Sequence, residues 1–448
     1  MVRASGFSGT ADAPGDKSIS HRALIFASLA TERCAVSHLA PGADVRSTAA
    51  CLESLGAQIE MDAAGAVVTG CGLTRLKASD APLDCGNSGT TIRLLSGVIA
   101  GSGVGGVLDG DESLRRRPMK RVLDPLRAMG ARGQGSRGAG GDETAPLQFE
   151  PGEALAGQRH ELPIASAQVK SALLLAGLWA NGRTTVREPH RSRDHSERML
   201  RAFGAPVQIL EEGAVSIEGP CPALKAPAHL HIPGDASSAA FLVAAALIVP
   251  EGEVEVRGVN VNPTRTGFFN VLQRMGAVLE LIPEPDRAGE PVAAIRARQA
   301  SPLLSTELVS AEVPSLIDEI PILSVLATQA RGWTTLRGAA ELRFKESDRI
   351  AQMARGLAAM GAEVEELDDG LKIRGPCRLR GARIDAASDH RIAMSFAVAG
   401  LIAEGETFIH GAEWADISFP GFFQLLSRLS GGAVSVSGEE RRPGERDK

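Results

Sequence analysis

Residues 15–30 read GDKSISHRALIFASLA. A Gly turn, a charged pair and hydroxyl residues give way to a nearly unbroken apolar run. The pattern predicts a helix with an exposed first turn and a buried body. The chain repeats this arrangement five more times. The copies begin at Asn87 (NSGTTIRLLSGVIAG), Ser166 (SAQVKSALLLAGLWANG), Asp235 (DASSAAFLVAAALIVPEG), Leu316 (LIDEIPILSVLATQARG) and Asp389 (DHRIAMSFAVAGLIAEG). Each starts polar or ionic and runs through an apolar helix to a Gly at or near its end.

A second helix follows each copy and closes on Gly-Ala or a close variant: CLESLGA, LDPLRAMGA, RMLRAFGA, VLQRMGA, GLAAMGA and LLSRLSGGA. The closing glycines are Gly56, Gly130, Gly204, Gly276, Gly361 and Gly432, spaced 74, 74, 72, 85 and 71 residues apart. Gly just beyond a helix suits a left-handed C-cap. Short strands are predicted next, over 57–61, 205–210, 277–282 and 362–367. Units of this length hold two helices and several strands each, longer than ordinary solenoid repeats. At 448 residues the chain exceeds one ordinary core, so six units divide most simply as three plus three.

Composition narrows the function. Hydrophobic residues make up 44% and charged residues 23%, the balance of a soluble globular protein. With 4% aromatics and no Tyr, the chain is poorly provided with stacking platforms for nucleic acid. A net charge of −6 argues against a general polyanion binder but leaves room for a local cationic pocket. Cys34, Cys51, Cys71, Cys85, Cys221 and Cys377 show no metal-type spacing and read as reduced, mostly buried thiols of a cytoplasmic protein. No secretory leader or membrane span is evident, so no membrane partner is expected. Residues 132–144 read as a flexible loop and residues 438–448 as a frayed charged end.

The placement of cations is more informative than their number. A helix N-terminus carries partial positive charge, so it favours Asp or Glu by roughly 0.3–1 kcal/mol and disfavours Lys and Arg. Yet Lys17 and Arg22 enter the first helix of unit one, Arg93 lies early in unit two, Lys170 in unit three, and His390 and Arg391 open unit six. Any one of them could simply reach water. Recurrence at matching points of a repeat instead suggests an external anion held by helix N-termini and cations together. The loops before the second helices add Arg46, Arg115, Arg116, Arg117, Arg193 and Arg265. In FKESDR, Lys345, Glu346 and Arg349 have the spacing of one helical face. Several such groups imply a ligand with more than one anionic centre. Asp318 and Glu346 are carboxylates among these features, either satisfied caps or acid/base groups.

Taken in order, nine motifs resemble the 5-enolpyruvylshikimate-3-phosphate synthase family from about residue 9 to 429. They are GDKSISHR (15–22), GNSGTTIR (86–93), RPM (117–119), SAQVK (166–170), RDHSE (193–197), NPTR (262–265), IDE (317–319), KESDR (345–349) and DHRIAM (389–394). GDKS, SAQVK, RDHSE and NPTR resemble the signatures of its second class. The resemblance implies an α/β (α+β) fold of two lobes, each three βαβαββ repeats, the enolpyruvyl transferase fold or inside-out α/β barrel. The lobes would comprise residues 15–231 and residues 1–14 with 232–448, joined by a double-stranded hinge.

The implied reaction transfers the enolpyruvyl group of phosphoenolpyruvate to the 5-hydroxyl of shikimate 3-phosphate, releasing phosphate, on the shikimate pathway to chorismate and aromatic amino acids. By resemblance, Lys17, Ser18, Arg22, Ser166, Ala167, Gln168, Arg193, Asp318 and Lys345 hold shikimate 3-phosphate. Lys17, Asn87, Gly89, Arg117 (or its neighbour Arg116), Gln168, Lys345, Arg349, His390 and Arg391 surround phosphoenolpyruvate. Asp318, Glu346 and Lys17 are the implied catalytic groups. The expected inhibitor is glyphosate, with sensitivity expected because Gly89 carries no methyl. No metal or organic cofactor is expected, and the protein is expected to be monomeric. Two features depart from the better-known first class: Arg193 stands in the region of its stacking Tyr, and Ile417 in DISFP stands where that class has a lysine. Rival readings are a UDP-N-acetylglucosamine enolpyruvyl transferase, an RNA 3′-phosphate cyclase and a non-catalytic anion-binding protein on the same fold. The loop over 109–121 lacks the Cys typical of the first, the His available to the second already sit in matched motifs, and joint retention of Lys17, Asp318 and Glu346 argues against the third.

Overall fold

The computed structural model describes residues 1–138 and 141–436. Its twelve α-helices among those residues come in pairs, one pair per repeat. They are α1 (Lys17–Leu29), α2 (Ala43–Ser54), α3 (Gly89–Ser102), α4 (Lys120–Ala128), α5 (Ala167–Gly177), α6 (His195–Ala202), α7 (Ala236–Ile248), α8 (Gly267–Arg274), α9 (Ile320–Ala327), α10 (Arg349–Ala359), α11 (His390–Gly400) and α12 (Phe422–Leu429). The odd-numbered helices are buried along most of their length, and every residue of α7 is buried. Such helices can sit only inside a core, which their all-round apolar sequence requires. The even-numbered helices bury one face, as α4 does through Val122, Leu123 and Leu126.

Each of the first five units carries a four-stranded sheet in which one pairing is parallel and two are antiparallel. In unit two, Leu83–Asp84 pairs in parallel with Gly106–Asp109, which pairs antiparallel with Glu143–Phe149, and that with Gly133–Arg137. The stretch read as a flexible loop over 132–144 is therefore largely a hairpin, anchored where Arg127 of α4 grips the Glu143 carboxylate. The other predicted strands appear as Gln58–Met61, Val207–Ile209, Val278–Arg287 and Glu363–Leu367. All six closing glycines take positive φ, between 78° and 109°, which explains why Gly ends every second helix. Unit six keeps one parallel pair, Arg383–Asp385 with Phe408–His410. The frayed end expected over 438–448 lies outside the described residues.

Two hydrophobic cores result. One is built from residues between Ile19 and Ile232, the other from residues between Ala4 and Ala13 and between Ala236 and Val434. The chain exchanges strands between them. Ser8–Asp12 pairs in parallel with Glu253–Asn260 of unit four, and His229–His231 with Arg33–Ser37 of unit one. The two crossings run side by side: Asp16 N–H donates to Pro233 O and Asp235 N–H to Pro14 O, both at 2.8 Å. Within the first core α3 and α5 approach so closely that a Cβ on Gly97 would lie 2.1 Å from Ala172 O. Only Gly permits that contact. The six cysteines are free, five of them buried. No helix among the described residues is long and apolar enough to cross a membrane.

Candidate active site

The first turns of the odd-numbered helices converge where the cores meet. Five have a side-chain N-cap: Asp16 accepts from Ile19 N–H, Ser88 from Thr91, Ser166 from Val169, Asp235 from Ser237 and Asp389 from Arg391. A cap satisfies one of the first-turn donors, and the rest stay available to an anion. Unit five differs. The helix expected from Leu316 starts only at Ile320, after two 3₁₀ turns, Val313–Ser315 and Ile317–Glu319. Pro321 falls in the first turn of α9, where a missing N–H costs nothing, and Asp318 is left in the tighter turn ahead of it.

Between these turns lies a cavity of about 460 Å³. Nine Lys and Arg side chains line it against five Asp and Glu, a local excess of positive charge in a chain of net −6. Of the residues singled out in the sequence, Lys17, Ser18, Gly89, Arg117, Ser166, Ala167, Gln168, Arg193, Asp318, Lys345, Glu346, Arg349, His390 and Arg391 all line it. Arg117 faces the cavity with 9% of its side chain exposed, whereas Arg116, exposed at 73%, pairs with Glu112 outside. Two predicted residues stand one layer behind. The Arg22 guanidinium donates to Ser196 Oγ, Ser171 Oγ and Ser18 O. Asn87 accepts from Arg117 and donates to Asp111 at 2.7 Å.

Asp318 is the electrostatic centre. Arg193 NH2 lies 2.7 Å from its carboxylate, Arg349 NH1 3.3 Å, Lys345 Nζ 3.5 Å and Arg391 Nε 3.9 Å. Burial would raise its pKa, but Lys345, Arg391, Arg193 and Arg349 hold it well below the usual carboxylate range. Glu346 behaves alike: burial opposes its charge, and Arg349, Arg117 and Lys17 outweigh that. Arg349 NH2 donates to it at 2.6 Å, while Arg349 Nε donates to Asp389 at 2.8 Å. Lys17 reaches Asp44 Oδ2 at 2.9 Å, and burial pulls its pKa down less than Asp44 and Glu346 hold it up. Lys345 is lowered by burial, with Asp318 only partly opposing. His390 is pushed down to about 3 by burial, so its ring is neutral at pH 7.

The structure corrects three expectations. Lys345 and Glu346 precede α10 instead of sharing its face, because Asp348 caps that helix through Ala351 N–H; Glu346 nonetheless meets Arg349. Lys170 faces no external anion. It is buried between Glu188 and Glu197, at 2.8 and 2.9 Å. Arg46 and Arg115 bond at the exposed surface, to Pro41 O and Asp109. Arg93, read from the sequence as a helix-start cation but given no substrate, lines the cavity. It donates to Gln168 Oε1 at 2.6 Å and is pushed down to about 9 by burial and by Arg121 and Arg117, a crowd of guanidinium groups that favours an anion. The sequence reading also left residues out. Asp44, Arg121 and Glu341 carried no signal: Arg121 pairs with Glu341 across the cleft, a contact between residues 220 apart.

Residues 3–426 match the EPSP synthase (3-phosphoshikimate 1-carboxyvinyltransferase) family. The chain belongs to that family. It is 53% identical over 429 residues to the 3-phosphoshikimate 1-carboxyvinyltransferase of Synechococcus sp. (strain RCC307), covering 94% of this chain and 96% of the relative. The EPSP synthase structure from Acinetobacter baumannii superposes with a TM-score of 0.83 at 42% identity, covering 96% of each chain. The enolpyruvyl transferase NikO from Streptomyces tendae, at 18% identity, has a TM-score of 0.76 over 96% of each chain and shares the fold. The six-unit architecture of two cores is thus the enolpyruvyl transferase fold.

Proposed function

We infer that this protein is an EPSP synthase, a transferase that moves the enolpyruvyl group of phosphoenolpyruvate to the 5-hydroxyl of shikimate 3-phosphate and releases phosphate. The carrying observation is the cavity: helix N-termini and nine cations surround two half-buried carboxylates, Asp318 and Glu346, within reach of the same guanidinium of Arg349. Two small polyanions match that charge. Ser166, Ala167, Gln168, Ser18 and Arg193 take shikimate 3-phosphate, with Arg22 supporting Ser18 from behind. Gly89, Arg117, Arg349, His390 and Arg391 take phosphoenolpyruvate, with Asn87 orienting Arg117. Lys17 and Lys345 stand between and serve both.

The reaction breaks the bond from the enol carbon to the phosphate oxygen and makes one to the shikimate oxygen. An electron-rich enol carbon accepts a hydroxyl only if its methylene gains a proton as the hydroxyl loses one, and the double bond re-forms as phosphate departs only if the resulting methyl gives a proton back. Asp318 and Glu346 are the groups available for those transfers. Both are ionised while Arg and Lys face them. Substrate phosphates and carboxylates compete for the same cations, so loading the cavity raises both carboxylates toward proton-exchanging range.

The lobes are residues 15–231 and residues 1–14 with 232–448, hinged on the paired crossings. Ion pairs Arg121–Glu341 and Arg193–Asp318 already span the cleft. The enzyme acts as a cytoplasmic monomer without nucleic-acid or membrane partners, and glyphosate competes at the phosphoenolpyruvate subsite. The deciding assay measures phosphate release from phosphoenolpyruvate with shikimate 3-phosphate, beside UDP-N-acetylglucosamine. Release with shikimate 3-phosphate alone is expected. Release with the nucleotide sugar alone, or with neither, would refute the assignment.

A further inference from the structure

Away from the cavity, four buried polar side chains join the two cores. Asp194 and His195, at the start of α6, come from the first core; Asn262 and Glu290 come from the second. His195 Nδ1 lies 2.7 Å from Glu290 Oε1, an imidazole N–H donating to a carboxylate. The Asn262 amide uses both of its hydrogens, one on Asp194 Oδ1 and one on Glu290 Oε2, each at 2.6 Å. Its own oxygen accepts from Thr264 N–H and Oγ1, at 2.9 and 2.8 Å, which fixes which end of the amide faces the acids. Arg198 donates to Asp194 Oδ1 at 3.0 Å and lies 3.7 Å from Glu290. Asp194, His195 and Glu290 bring ligand-type atoms within 4.8 Å of one another, but their oxygens already face donors, which suits a structural joint better than a cation.

The neighbour of Asp194 gives the joint its purpose. Arg193 reaches across the cleft to Asp318, and one peptide bond separates it from the residue that Asn262 holds. We propose that Asp194, His195, Asn262 and Glu290 form a latch between the cores, and that His195 and Asn262 are positioning residues that set Arg193 against Asp318 and shikimate 3-phosphate. This rests on the transferase reading for its substrate but not for its geometry. A buried amide shared by two carboxylates is costly to disturb, since its loss leaves two acids facing each other. The joint therefore favours one arrangement of Arg193 over others.

The test uses the full chain. Asn262→Ala should raise KM for shikimate 3-phosphate about ten-fold, with a much smaller change in KM for phosphoenolpyruvate. In an Arg193→Gln background the same substitution should add less than about two-fold, because it acts through Arg193. His195→Asn, which keeps a donor near the Nδ1 position, should retain more of the native KM than His195→Leu. That pair decides the matter if Asn262→Ala does not fold. Amide exchange provides a readout free of substrate: Asn262→Ala should lose protection over both 193–195 and 259–265. Additive effects with Arg193→Gln, equal KM for the two His195 variants, or exchange changes on one side alone would each overturn the latch. Absence of turnover in the unaltered chain would overturn the transferase reading instead, and exchange would still judge the latch.

Discussion

A methyl added at Gly89 would lie 2.9 Å from Arg93 NH1 and 3.2 Å from Arg117 NH1. Both are ends of flexible side chains, so Gly89→Ala should fold and displace the guanidinium groups that grip an anion. We expect glyphosate inhibition to weaken much more than KM for phosphoenolpyruvate, because the longer inhibitor has less room to adjust. Equal shifts in both constants would place the selectivity elsewhere. At the acids, Asp318→Asn and Glu346→Gln keep shape while removing proton transfer, and each should lower turnover roughly 10²–10⁴-fold. Binding of both substrates should change less, as calorimetry on the variants can show. His21 and His390 carry a different signature. Burial pushes both down to about 3 from an ordinary 6.5. As pH falls below 6.5 the unfolded chain takes up protons that the folded chain refuses until near 3. Stability is therefore full above 6.5 and lost toward acid, by up to about 1.4 kcal/mol per pH unit for each His. His21 lies behind the site, bonded to Thr48 at 2.7 Å. His21→Gln should make the fall in urea midpoint between pH 7 and pH 5 shallower, and an unchanged slope would refute its share.

Among the elements, α5 shows how a motif can mislead and still matter. Its Lys170 has the sequence position of a ligand-binding cation, yet its ammonium closes a buried triad with Glu188 and Glu197. Glu188 in turn accepts from the Ser166 N–H that opens α5 and from the Ser192 hydroxyl. The charge thus organises two cavity-lining segments from behind. Lys170→Met should strand two buried carboxylates and cost about 3–5 kcal/mol in a denaturation experiment. Shikimate 3-phosphate binding should weaken with it. A loss below about 1 kcal/mol, within the range of an exposed ion pair, would contradict the burial argument. A close approach also serves the site at α2: a Cβ on Gly42 would fall 2.0 Å from Ile417 O, so Gly there lets the 412–417 turn of the second core reach the first.

For the whole molecule, the site exists only while two cores meet. First-turn groups of α1, α3 and α5 face those of α7 and α11 and the 3₁₀ turn of Asp318 over the cavity, so neither half holds a complete set. Residues 15–231 expressed alone should show no turnover, and mixing with the remainder should restore it only if the paired crossings re-form. Closure over two polyanions should be driven by cancelling the cavity's positive excess. Small-angle scattering should give a smaller radius of gyration with both substrates than without. An unchanged radius would refute closure.

The repeat was legible because burial writes itself into local sequence. An all-round apolar helix has no solvent face, a C-terminal Gly needs positive φ, and both recur at a near-constant period. Cations at the helix starts were legible for the same reason, since each placement goes against the local dipole. What sequence could not separate was a cation facing a ligand from one facing an internal acid. Lys17 and Lys170 look alike in sequence, but one lines the cavity and the other lies sealed between two glutamates. Nor could it show the 3₁₀ turns that carry Asp318, the pairing of Arg121 with Glu341, or the joint of Asn262 with Asp194 and Glu290. Those depend on which surfaces meet across the two cores. Local pattern therefore determined the units and their apolar faces, while the tertiary structure alone decided the partner of each charge, because Coulomb energy follows distance in space and not along the chain.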